Sequence, residues 1–202
     1  FLYDSSHWLW IDMLKKYDLI KRKGKIFYYE NKHHHYFHAS CAEATVGKSE
    51  HMVVIDGHGS PLKEGKEQET VFKNNKIVYK SQKNIGWDYE CKTAEVFNLR
   101  KGRAFRSCGK LMAKSLHDPE LNKFQKHTEE LIDEVMPRGH VTYTGGVAQN
   151  VLANSKYKNI DIKIDPLCTD QGISLGVMNH VLGKKLNLQD NPVYLGFKPK
   201  YD

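Results

Sequence analysis

A chain of 202 residues, 40% hydrophobic and 27% charged, has room for one sizeable core or two small lobes, and its composition is neither disordered nor fibrous. No apolar run approaches the roughly 18 to 20 residues that a membrane helix needs, and the N-terminus lacks the pattern of a secretory leader. The expectation is a cytoplasmic protein without a membrane partner, and nucleic acid is not its expected ligand. The formal charge of +7 suits an anionic ligand, a nucleotide or nucleic acid, but lysine is spread along the chain, so charge alone selects none of them.

Four cysteines, Cys41, Cys91, Cys108 and Cys168, are widely spaced without a C-x-x-C pattern, which favours free thiols over a disulfide framework. The chain opens on Phe1, and "FLYDSSHWLWIDMLKKYDLI" already reads as the middle of a helix, so a fragment of a longer protein is expected. From Lys25, "KIFYYEN" has strand character, and "HHHYFHASCAEATV" then sets small or apolar residues at helical spacing. "HMVVIDGHGS" reads as a buried strand running into a tight turn, followed by a polar hairpin. "TVFKNNKIVYKSQ" predicts two strands around Asn74 and Asn75, residues that tolerate a left-handed turn.

Trp87 to Phe97 reads as helix, and "RKGRAFRSCGKLMAKSL" as a basic, glycine-marked connection. Asp118 is a cap and Pro119 a first helical residue; Leu121, Phe124, Leu131, Ile132, Val135 and Met136 form one stripe that Pro137 and Gly139 stop. Beyond it, "HVTYTGG" reads as strand into glycine turn, "VAQNVLANSKY" as helix, "IDIKID" as strand and "TDQGISLGVMNHVLG" as a capped helix. Strand, helix, strand, helix predicts an α/β layer fold with its loops gathered on one edge.

His34 and His38 are four apart, which on a helix puts both on one face within reach of a common ion. Neutral imidazoles suit Zn, Fe, Mn or Ni, and a carboxylate is the usual third ligand of an open site. A solvated histidine face is the rival reading; His33 and His35 point elsewhere and are expected in a supporting or exposed position. Asp170, where a strand has ended and a helix begins, is the third ligand favoured by position, and Thr169 or Asp170 as a plain helix cap is the equal alternative. Cys41 and Cys168 leave a thiolate-containing zinc site open as well.

Gly145 and Gly146 between strand and helix can admit a phosphate or simply shape a turn. Asp56 in "IDGHGS" is likewise a Mg-phosphate organiser or a turn former. Asn150 and Asn154 are four apart. Gly172 and Gly176 are read as permitting close helix packing.

In order, "HHYFHAS", "VVIDGHGS", "GKLMAKS", "YTGGVAQNVLANSKY", "PLCTDQGISLGV" and "PVYLGFKPKY" resemble successive motifs of the O-carbamoyltransferases of the NodU/CmcH type. Their core is similar to the tRNA threonylcarbamoyladenosine synthases. The resemblance runs from residue 33 to about residue 200 and implies an α/β actin-like ATPase (RNase H-like) fold, incomplete at the N-terminal lobe. Residues 1–202 would be the central and C-terminal part of the carbamoyltransferase core, without the YrdC-like domain, which is then expected in cis or in trans.

The resemblance further implies a metal, Fe2+ or Zn2+, held by His34, His38 and Asp170 beside a carbamoyl-adenylate made from carbamoyl phosphate and ATP, with a small-molecule hydroxyl as acceptor. Lys110 and Asn150 would act on substrate. Asp56, Gly57, Gly59, Gly145, Gly146 and Asn154 would line the nucleotide. The chain departs from the pattern at Ser60 (an acid in the family), Gln149 (aliphatic), Thr169 (glycine) and after Met112 (no Tyr-Gly ending). The alternative is a non-catalytic nucleotide-binding module or partner subunit of the same fold class.

Overall fold

The structure, a computed structural model, describes residues 34–60, 65–157, 161–181 and 183. The strand expected from Lys25, the motif from Pro192 and His33 lie outside the described residues.

Helix α1 (His34–Val46) leads into β1 (His51–Ile55), β2 (Glu69–Lys73) and β3 (Lys76–Ser81). Next come α2 (Ile85–Val96), a 3-10 turn at Phe105–Ser107, α3 (Cys108–Ser115) and α4 (Pro119–Val135). β4 (Val141–Thr144), a 3-10 turn at Gly146–Gln149, the short α5 (Val151–Asn154), β5 (Ile162–Ile164), a 3-10 turn at Asp170–Gly172 and α6 (Ile173–Val181) complete the order. The sheet runs β3-β2-β1-β4-β5, with β1 to β3 antiparallel and β4 and β5 parallel to β1. With helices on both faces, this is an α/β layer fold, and its order of three antiparallel strands extended by two parallel ones fits the RNase H-like lobe that the resemblance implies.

β1 is the centre, and its residues explain the layering. A strand buried on both faces carries a continuous apolar run, and successive side chains go to opposite sides. Met52 and Val54 pack with Ala39 and Ala42 of α1, whereas Val53 and Ile55 join Ile85, Ile132, Val141 and Tyr143 on the other face. Asn74 and Asn75, at φ 51° and 61°, make the left-handed turn between β2 and β3. Asp118 caps α4 by accepting from the amides of Glu120 and Leu121, with Pro119 behind it.

One expected helix is broken. "VAQNVLANSKY" forms a 3-10 turn, a single α-turn and another 3-10 turn. Asn150 sits at φ −73°, ψ 88°, outside helical space, and its side-chain Oδ1 accepts from the Ala153 amide, restarting the helix. The basic connection is itself partly helical, as α3. α6 lies along α1 because Gly176 has no side chain: a Cβ there would collide with the Phe37 carbonyl oxygen and come within 3.0 Å of the Cys41 nitrogen. Ser40 Oγ donates to the Gly176 carbonyl across the same contact. The helix-packing reading therefore holds for Gly176; Gly172 lies in the 3-10 turn, where a Cβ would meet the Leu167 carbonyl oxygen as well as Cys41 Sγ of α1.

Candidate metal centre

β1, β4 and β5 are parallel, so their carboxyl ends share one edge of the sheet, the edge where open α/β sheets bind ligands. Asp56 follows β1 and Gly145 follows β4. The chain after β5 reaches Asp170, and α1 starts at the same edge with His34.

His34, His38, Asp56 and Asp170 each bring one donor atom to a common point, all within 4.8 Å of one another. His34 Nε2 lies 3.1 Å from Asp56 Oδ2 and 3.4 Å from Asp170 Oδ1. His38 Nε2 lies 3.5 Å and 3.4 Å from the same two oxygens. Four donors around an ion at bonds of about 2.1 Å stand about 3.4 Å apart, the edge of a tetrahedron. Paired imidazolium and carboxylate groups, by contrast, close to about 2.8 Å. His38 Nε2 is buried and makes no well-aligned hydrogen bond among the described residues, although two carboxylates flank it. Two nitrogens and two carboxylate oxygens form a donor set suited to Zn2+ or Fe2+, and the residues fit the implied ion.

The electrostatics agree. Burial opposes charge on His34, but Asp170 and Asp56 outweigh it and hold its imidazolium up to about 9. His38 is raised against the same burial by the same two acids. Burial also opposes charge on Asp56, yet His34 and His38 keep its carboxyl well below the usual carboxylate range. Contacts with His34 and His38 bring Asp170 to about 2. Asp170 is 75% exposed, so solvent screens its share; Asp56 is 15% exposed. The centre favours positive charge.

Each ligand is anchored. Asp56 Oδ1 accepts from the amides of Gly57 (2.8 Å) and Gly146 (3.3 Å), leaving Oδ2 for the histidines. The start of α1 is clamped from β1–β2: Ser60 Oγ accepts from the His34 amide at 3.3 Å, and Glu67 Oε2 accepts from the amides of Ser60 and His35. A carboxylate at that helix N-terminus is electrostatically favourable.

Of the predicted site residues, His34, His38 and Asp170 converge. Asp170 makes no side-chain cap, and neither does Thr169, so the helix-cap alternative is not the arrangement observed. Asp56, expected as a phosphate organiser or turn former, makes its turn contact and also joins the histidines. Its position at the end of an apolar strand was the available signal. Cys41 and Cys168 are buried and outside the four-donor group. His35 is not exposed: it is fully buried, its Nδ1 lies 2.8 Å from Thr70 Oγ1, and burial holds it down to about 3.

Gly145 adopts φ +92°, and a Cβ there would overlap the Ile55 carbonyl, so this turn requires glycine on geometric grounds alone. Gly146 faces Asp56 Oδ1, and Gly59 fits between His35 and Glu67. Gly57 has open space beside it. Asn150, expected to act on substrate, is buried. Its amide bonds Gln125, which also accepts from Tyr89, so the side chain is engaged in the interior. Asn154 donates to the Ala148 carbonyl. Lys110 is exposed on α3.

No family model and no curated protein matches the chain in sequence. Solved structures similar in shape include the activator of the 2-hydroxyisocaproyl-CoA dehydratase from Clostridium difficile with bound ADPNP, with a TM-score of 0.45 and 14% identity over 72% of this chain and 64% of that one. Others are component A of the (R)-2-hydroxyglutaryl-CoA dehydratase of Acidaminococcus fermentans (0.36, 14%, 71% and 66%) and the ethanolamine utilization protein EutJ of Carboxydothermus hydrogenoformans (0.37, 16%, 69% and 54%). The chain spans less than two thirds of the length of each. At these scores and identities the likenesses carry no argument about activity.

Proposed function

We propose that this chain is the metal-binding lobe of an actin-like, nucleotide-binding protein, and that the reaction it serves is carbamoyl transfer from carbamoyl-adenylate to a hydroxyl acceptor. The observation that carries the metal is the convergence of His34, His38, Asp56 and Asp170 at the carboxyl edge of the parallel strands. The reaction class rests on the six ordered motifs of the sequence.

A divalent ion bound there would supply Lewis-acid polarisation of the carbamoyl oxygen. The protein's own part is to hold the donors in place. His34 and His38 are fixed one helical turn apart by the Ser60–Glu67 clamp, and Asp56 by the amides of Gly57 and Gly146. Gly57, where a Cβ would meet nothing within 4 Å, and the Gly146 amide beside Asp56 are the parts of this edge that a nucleotide phosphate would approach.

A second reading, a nucleotide-binding module without catalysis, is favoured by one observation: the Asn150 side chain is buried and engaged by Gln125. Calorimetry with Zn2+ and adenine nucleotide, followed by a mass-spectrometric assay with carbamoyl phosphate, ATP, a YrdC-like protein and a panel of hydroxyl acceptors, separates the two. Metal and nucleotide binding with a carbamoylated product supports transfer. Binding without product across the panel supports the module, and no metal binding overturns both.

A further inference from the structure

The chain carries 31 lysines and arginines against 24 acids, and the excess is concentrated. The 22 residues from Val96 to His117 contain Arg100, Lys101, Arg103, Arg106, Lys110 and Lys114 and no acid at all. Outside them 25 cations face 24 acids. A surface average therefore hides one strongly positive segment on an otherwise balanced molecule.

All six of these cations are exposed, and no ion pair among the described residues involves them. The tightest group, Arg100, Lys101, Arg103 and Arg106, occupies seven residues of the connection between α2 and α3. That connection is held, not loose. The Ala104 amide donates to the buried Glu90 carboxylate at 3.0 Å, the Leu99 amide to the Ala94 carbonyl at 2.8 Å, and the Arg103 amide to the Arg100 carbonyl at 3.1 Å. In its middle Phe105 is 59% exposed, with the Arg106 guanidinium 5.6 Å from its ring centroid. This large aromatic ring in solvent, interleaved with guanidinium groups on a fixed turn, joins no apolar cluster among the described residues.

We infer that the Arg100–Arg106 turn is a binding surface for single-stranded nucleic acid. Spaced cations on a held turn neutralise successive phosphates, and an exposed aromatic ring offers a stacking face to an unpaired base. Duplex is disfavoured because no long helix or ribbon projects from the turn to enter a groove, and α3 has only eight residues. An anionic membrane is disfavoured because the cations lie on a turn and the buried side of α3, Leu111 and Ser115, is turned into the protein. The surface stands apart from the metal centre. Gly86 in the first turn of α2 lies against the Asp56–Gly57 backbone, whereas the basic turn leaves the other end of this 12-residue helix, about 18 Å away.

Fluorescence anisotropy of the full chain with a labelled mixed-sequence single-stranded 16-mer tests this across a salt series. Four phosphate contacts give a slope of log K against log salt near −3, at about −0.7 per contact. The quadruple variant Arg100→Gln/Lys101→Gln/Arg103→Gln/Arg106→Gln is expected to lose at least tenfold in affinity and most of the slope. Phe105→Ala is expected to lose roughly fivefold or more at an unchanged slope.

A control variant, Lys76→Gln/Lys80→Gln/Lys123→Gln/Lys126→Gln, removes equal charge from exposed positions elsewhere and is expected to keep most of the binding. Equal losses in the two quadruple variants would overturn the inference. So would duplex binding as tight as single-strand binding with no effect of Phe105→Ala, or binding to phosphatidylserine vesicles without binding to the oligonucleotide. Thermal melts matching the parent chain confirm that these exposed substitutions leave the fold intact.

Discussion

Oδ2 of Asp56 lies 3.1 Å from Nε2 of His34 across 22 positions of sequence. The contact exists because α1 runs back along β1, so that the start of the helix and the end of the strand meet at one edge. It turns a two-histidine, one-acid reading into a centre with two acids of different character. Asp56 is largely buried and held by two amides; Asp170 is exposed and held by neither.

That difference predicts unequal losses. Asp56→Asn is expected to weaken Zn2+ binding more than Asp170→Asn, each by at least tenfold, and His34→Ala/His38→Ala to abolish it. Cys41→Ser and Cys168→Ser should leave it unchanged. Isothermal calorimetry decides: a larger loss for Asp170→Asn, or loss in either cysteine variant, refutes the four-donor assignment.

The glycines of the two turns are expected to divide by geometry. Gly145→Ala forces a side chain into a left-handed φ of +92° and against the Ile55 carbonyl, at a cost of about 1 to 3 kcal/mol. Gly57→Ala meets nothing within 4 Å and should change stability by under about 0.5 kcal/mol. Urea midpoints of the two variants measure the contrast, and equal midpoints would remove the geometric account of Gly145.

Much of the layer order was legible because β1 reads as an unbroken apolar run and α4 carries its cap and stripe in sequence. The histidine pair was legible because helical spacing is local. What was hidden is long-range: nothing near Asp56 says that α1 folds back onto it, and nothing near Asn150 says that Gln125 and Tyr89 claim its amide. The broken helix after Gly146 was hidden for a related reason, since Asn150 restarts a helix through its own side chain where periodicity sees only continuous apolar spacing. The exposure of the Arg100–Arg106 turn was likewise invisible, because composition gives charge but not burial.

Tyr143 is fully buried in the core, and its hydroxyl has no hydrogen-bond partner among the described residues. Burial pushes its ionisation well above the ordinary value of about 10. With the folded value raised above the unfolded one, the unfolded chain loses the proton first, so this contribution is intact below about pH 10 and is lost as pH rises beyond it. Cys41 and Cys168, also raised by burial, act in the same direction. Tyr143→Phe is expected to flatten the alkaline fall in stability without abolishing it, and at pH 7 to be neutral or stabilising by about 1 kcal/mol because no bond is broken. Guanidinium titrations from pH 7 to 11 test both. A loss above 1 kcal/mol at pH 7 would mean that the hydroxyl has a partner.

Gly176 links packing to the metal centre. In a helix interior, alanine is favoured over glycine by about 1 kcal/mol, so on propensity alone Gly176→Ala should stabilise α6. The contact with α1 argues the opposite: a Cβ there would overlap the Phe37 carbonyl, and the Ser40 hydrogen bond to Gly176 and the Asn179 bond to the Ser40 carbonyl both require the present separation. Forcing the helices apart is expected to cost about 1 to 3 kcal/mol beyond the propensity gain. Because α6 continues directly from the turn that carries Asp170, the same substitution should draw that carboxylate away from His34 and His38 and weaken Zn2+ binding, while Asp56 keeps its anchors. Urea unfolding and calorimetry on the one variant read the two effects separately. A more stable variant would show that the helices can separate without strain, and lower stability with unchanged Zn2+ affinity would show that Asp170 is positioned independently of α6.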